Sequence, residues 1–136
     1  VIKAVKRGVT VRIITGLGFN DITESLPTQG GSNEQVMNKL VAKVLKEDPT
    51  NKDKLKFGWY SKDGVKPIIS NGASASHTKF MSIDNKVAIV GSGNMDHQTW
   101  NQSREFNILI DSPAATETIN NSFFNGDWER AIKVKF

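Results

Sequence analysis

His77 and Lys79 stand two residues apart, followed by Asp84 and then by Gly91-Ser92-Gly93-Asn94. Two positions apart on a strand put an imidazole and an ammonium on one face, where one can attack while the other holds negative charge. Ser92 and Asn94, again two apart, bring neutral hydrogen-bond donors from a glycine-flanked loop. Gly91 and Gly93 let the backbone come close to a ligand. A nucleophile, a cation and several donors are what the anionic transition state of phosphodiester transfer requires. Asp84 lies in a turn-forming pair with Asn85, so its expected role is structural, bonding turn amides. No group of Asp, Glu and His has metal-ligand spacing, and the chain has no cysteine, which excludes a thiolate ligand, a thiol nucleophile and disulfides. Neither a metal nor an organic cofactor is expected. The second histidine, His97, has Thr99 rather than a lysine two positions on, and reads as an exposed residue at a helix start.

The segment from His77 to Asn94 resembles the H-x-K-x4-D signature of the phospholipase D superfamily with its G-S-x-N extension, and the spacing agrees at every element. A bare H-x-K-x4-D is weak, whereas the two together are specific. The Val9–Thr15 stretch also looks like the strand that precedes the family's second signature. The resemblance implies a two-step transfer. His77 would attack phosphorus and form a covalent phosphohistidine, and a second histidine would protonate the leaving alcohol and then activate water or an acceptor alcohol. Lys79, Ser92 and Asn94 would bind the phosphoryl oxygens. Glu105 stands where members often place a glutamate that orients the histidine. Members build one active site from two signatures, in one chain or across a homodimer, and this chain carries one. The expected partner is therefore a second half of the same enzyme or a symmetric copy. Gln98-Thr99 replaces the Arg-Ser that many members carry, which points away from the bacterial cardiolipin synthase-like branch. A phospholipid is the substrate expected first. A homodimeric nuclease acting on nucleic acid is the alternative within the superfamily, and a non-catalytic phosphate- or lipid-binding module is the alternative outside catalysis. Intact His77 and Lys79 argue against the last.

The 136 residues suit one domain with a real core, and 38% hydrophobic against 24% charged residues is ordinary for a globular chain. A net charge of +4 favours anionic partners weakly. No apolar run is long enough to span a bilayer, so any membrane contact is expected to be peripheral. The start, Val1 to Arg7, is too short and too charged for a secretory signal. It reads instead as the tail of a helix stopped by Gly8. With no initiator Met, the chain is expected to be one half-domain, residues 1–136, of a longer two-signature protein.

The elements that must position the signature follow from pattern. Val9 to Thr15 is β-branched and bounded by glycine, hence a strand, and Gly16 to Gly31 is a loop. Ser32 and Gln35 form a capping box. Val36, Leu40 and Val44, with Met37, Val41 and Leu45 beside them, then give the apolar face of a helix ending near Asp48-Pro49. Leu55 to Tyr60 is a strand and Ser70 to Ser76 a small-residue loop. Thr78 to Ile83 and Lys86 to Val90 are strands joined at Asp84-Asn85. Glu105 to Ile110 is a third, after a helical stretch near Met95 to Trp100. Ser112-Pro113 opens a last helix whose apolar face is Ala115, Ile119 and Phe123. Trp59, Trp100 and Trp128 are expected to pack in cores. The alternation predicts an α/β fold, a mixed sheet flanked by helices in a phospholipase D-like half-domain.

Overall fold

The computed structural model describes residues 1–136 except Asp21 and Thr28, and leaves the side chains of Ile22, Thr23, His97 and Gln98 undescribed. The chain divides into two compact units, residues 1–76 with 130–136, and residues 77–129.

In the first unit, α1 (Ile2–Lys6) ends at Gly8, whose φ of +81° is the left-handed stop that glycine supplies. Strand β1 (Val11–Thr15) runs parallel to β2 (Leu55–Trp59), with Val11 opposite Leu55 and Thr15 opposite Trp59. A parallel pair needs a long crossover, and α2 (Asn33–Glu47) provides it. Both bonds of the expected capping box form: Ser32 Oγ accepts from Gln35 N–H, and Gln35 Oε1 accepts from Ser32 N–H. The buried stripe of α2 is Met37, Val41 and Val44, while Val36 and Leu45 are exposed. The apolar face is therefore rotated from the expected one, because Val5, Leu55 and Phe57 form the surface it must meet. Trp59 packs against this core, 5.1 Å edge-on from the Phe57 ring. A strand not anticipated, β6 (Ile132–Val134 when counted after the five strands of the chain), pairs antiparallel with β2.

The loop after β1 is tied down at its start. Asn33 Nδ2 donates to Gly16 O and to Ser70 Oγ, both at 3.0 Å, and Asn33 N–H donates to Gly18 O. Glu34 accepts from Gly18 N–H at 3.0 Å. Gly16 must be glycine, since a Cβ there would lie 2.8 Å from Ser70 Cα.

The second unit is an antiparallel sheet in the order β3 (Phe80–Ile83), β4 (Val87–Gly91), β5 (Asn107–Asp111). Asp84 and Asn85 make the turn between β3 and β4 with φ of +52° and +54°, a conformation that Asn and Asp tolerate best among non-glycine residues. Lys86 N–H closes it onto Ile83 O at 2.9 Å. Helix α3 (His97–Asn101) bridges β4 and β5 in sequence. Ser112 caps α4 (Pro113–Ile119), with Pro113 in its first turn. The expected face of α4 is displaced: Thr116 and Asn120 are buried, and Phe123 is exposed. The shift is one residue and is already present at Thr116; a π-helical turn over Asn120–Asn125 follows, before α5 (Gly126–Arg130). On the same stripe Phe124, not Phe123, meets Phe80 and stacks with Trp128 at 5.9 Å. Asn120 Nδ2 bonds Asn85 Oδ1 at 2.7 Å, fastening the β3–β4 turn to this helix. The fold is α/β as expected, but its strands form two three-stranded sheets, and only the first is mixed. Among the described residues, no helix is long and apolar enough to cross a membrane.

Candidate active site

All the signature residues fall in the second unit. His77 and Lys79 lie just ahead of β3, which begins at Phe80 and not at Thr78 as expected. The backbone nevertheless stays in register for one more residue, because Gly91 N–H donates to Lys79 O at 3.3 Å. Lys79 Nζ donates to His77 O at 3.0 Å, which ties the lysine to the backbone of the histidine. The His77 side chain is exposed and Lys79 is half-buried.

Desolvation lowers the Lys79 pKa, and the charges of Glu105 and Asp96 oppose that shift. Two carboxylates thus surround the lysine and favour its cationic form. Glu105 Oε2 accepts from Ser92 Oγ at 2.6 Å, and Ser92 Oγ accepts in turn from Phe106 N–H at 3.1 Å. A hydroxyl has one proton to give. In this arrangement the Ser92 proton points to Glu105, with Phe106 O also in reach at 3.4 Å, so Ser92 places the carboxylate. Asp96 is a second acidic residue that sequence reasoning left out. Its Oδ1 accepts from Thr99 N–H at 2.7 Å and so caps α3. The signal was there in an aspartate three residues before the helical Thr99.

The sheet therefore brings Lys79, Ser92 and Glu105 together where β3 begins, β4 ends and β5 begins. It keeps Asp84 apart: the four residues of β3 separate it from Lys79 by about 13 Å, and Asp84 belongs to the turn. Asn94 is exposed on the loop beyond Gly93. The His97 side chain lies outside the described residues. Gly91 and Gly93, structural residues of the motif on the sequence pattern, have protein in the space beside them. A Cβ at Gly91 would overlap Phe106 O and Asn107 Oδ1, and one at Gly93 would sit 3.1 Å from Asn107 Nδ2. Asn107 escaped the sequence analysis because an asparagine at the start of a strand carries no signal of its own. Among the described residues, no three His, Asp or Glu side chains gather in a way that could hold a metal ion.

Comparison with curated proteins returned no match. Comparison with protein families matched residues 1–128 to the family described as "Cardiolipin synthase, PLD-like domain". The chain belongs to the phospholipase D-like family, within a superfamily of phosphodiesterases and phosphatidyltransferases.

Proposed function

We propose that the chain is one catalytic half of a metal-independent phospholipase D-type enzyme that cleaves or transfers a phospholipid phosphodiester through a covalent phosphohistidine on His77. The observation that carries this reading is the convergence of Lys79, Ser92 and Glu105 at one edge of a sheet, with Lys79 bonded to the His77 backbone and the signature spacing intact. The exposed imidazole attacks phosphorus while the Lys79 ammonium neutralises the phosphoryl oxygens. Glu105, held by Ser92, keeps Lys79 charged against its partial burial. Asn94 supplies a neutral donor. The histidine of the second half, from the same enzyme or a symmetric copy, protonates the leaving alcohol and then activates the acceptor.

Phospholipid is favoured over nucleic acid by two observations. The matching family carries cardiolipin synthase in its description. Met95, Trp100 and Phe106, on the segments that carry Asn94 and Glu105, are 77%, 74% and 72% exposed, apolar surface that suits acyl chains better than phosphate-sugar backbone.

The test is trapping. Protein quenched during turnover of phosphatidyl substrate in vesicles should carry a phosphatidyl adduct, stable in alkali and labile in acid as an N–P bond is, and His77→Ala should carry none. An adduct of equal yield in His77→Ala would overturn the assignment.

A further inference from the structure

The Gly91–Asn94 loop is clamped to residues 105–107 by a backbone bond, Ser92 N–H to Phe106 O at 3.0 Å, and by two side chains. The first is the Ser92 hydroxyl between Glu105 and Phe106 N–H. The second belongs to a residue outside the signature: Gly93 N–H donates to Asn107 Oδ1 at 3.3 Å. Asn107 is the ladder partner of Gly91. Residues 91 and 93 lie two apart on the same face, so a side chain at 107 reaches its direct partner and the diagonal neighbour at once. Its carboxamide does so: hypothetical Cβ atoms at Gly91 and Gly93 both meet it. Its side chain therefore fills the space that both glycines leave open. Asn94 is the next residue beyond the clamp, so the direction of its side chain is set by the backbone that Asn107 holds.

We infer that Asn107 is a positioning residue of the phosphate site, fixing Gly93 so that Asn94 reaches the phosphoryl group. The inference rests on the phosphodiesterase reading above for its ligand, and on hydrogen bonding alone for its geometry. Asn107 touches no substrate. Its carboxamide oxygen is what matters, so aspartate, with the same size and an acceptor in the same place, should hold Gly93 where alanine cannot.

The experiment uses the full chain and two readouts: amide hydrogen exchange at Gly93 by NMR, and titration with inorganic phosphate. Asn107→Ala should speed Gly93 exchange about tenfold, as expected for loss of one hydrogen bond, and weaken phosphate binding by a similar factor. Asn107→Asp should keep Gly93 protected. A role confined to folding would lower the melting temperature of Asn107→Ala and leave phosphate affinity of the folded protein unchanged, which would overturn the proposal. Unchanged Gly93 exchange in Asn107→Ala would overturn it as well. If the wild-type chain takes no phosphate at millimolar concentration, even at protein concentrations where it pairs, while Gly93 exchange responds as expected, the phosphodiesterase reading fails, and with it the role of Asn107 toward a phosphate; the clamp on the loop would stand.

Discussion

Gly91→Ala and Gly93→Ala remove the same hydrogen atom from two glycines of one motif, yet the surroundings predict different outcomes. Carbon atoms in ordinary contact stand about 3.5 Å apart or more. A Cβ at Gly91 would come within 2.7 Å of Asn107 Cα and overlap Phe106 O, so it intrudes by roughly 0.8 Å on backbone that has nowhere to rotate. The Gly91–Asn107 pair ends the β4–β5 ladder, and the strands must part there. Overpacking of this kind costs about 3 kcal/mol. At Gly93 the nearest atoms are side-chain atoms, Asn107 Nδ2 at 3.1 Å and Oδ1 at 3.3 Å, and the amide can swing aside at the cost of its bond from Gly93 N–H. Gly93 has no positive φ, so alanine also gains from a less disordered unfolded chain, leaving a net change within about 1 kcal/mol. Urea unfolding followed by circular dichroism should show the difference directly. With a slope of about 2 kcal/mol per molar, Gly91→Ala should lower the midpoint by about 1.5 M and Gly93→Ala by about 0.5 M or less. Equal midpoints, or Gly93→Ala as the weaker protein, would refute the packing argument.

Further outcomes follow from the site and from its frame. His77→Ala should lose phosphodiesterase activity by at least about a thousandfold and melt where the wild type melts; a folded mutant with more than a trace of turnover would exclude His77 as the nucleophile. Activity on a soluble phosphodiester should survive EDTA, because lysine and histidine can neutralise phosphate unaided; loss restored by a divalent ion would contradict this. Specific activity should rise with protein concentration and follow the appearance of dimer or of a complex with a second signature-bearing half, by sedimentation; constant activity down to a proven monomer would rule out the shared site. Lys79 titrates below the ordinary lysine range, so activity should fall on the alkaline side as its proton leaves. Glu105 raises that pKa, so Glu105→Gln should move the alkaline limb to lower pH, and a shift to higher pH would show the sign to be wrong. A lysine with a depressed pKa in the folded state destabilises the protein below that pKa, and the penalty fades as pH rises toward the unfolded value. Ser32→Ala should cost about 1 kcal/mol in stability by opening the capping box of α2.

Much of the frame was legible because its signals are local. The capping box at Ser32 and Gln35, the Ser112-Pro113 helix start and the Asp84-Asn85 turn are each fixed by side chains bonding their own neighbourhood. The family was legible because residue type and spacing both matched its signature. What was missed depends on contacts distant in sequence. The apolar residues of α2 allow more than one stripe, and only Val5, Leu55 and Phe57 decide which is buried. The buried face of α4 carries Thr116 and Asn120, polar residues that an apolar pattern passes over, so the Ala115–Ile119–Phe123 spacing pointed one residue away from it. Strand β6 is three residues long and exists through its pairing with β2. Gly91 and Gly93 show the same limit at the site: a glycine announces that something comes close, but not whether it is substrate or, as here, Asn107.

The knot around Asn33 has a consequence for how this loop can evolve. Gly16 and Gly18 are bonded to the first turn of α2 through Asn33 and Glu34, so the two ends of the intervening stretch meet through contacts that lie outside it. Once the ends are joined, the entropy of closing a loop grows only with the logarithm of its length, about 0.6 kcal/mol for each doubling. The stretch between Asn20 and Gly30 is thus released from any duty to hold β1 against α2. Relatives that keep an asparagine at the start of this helix are expected to differ in the length of that stretch, and a reporter peptide inserted there should leave the β1–α2–β2 crossover standing.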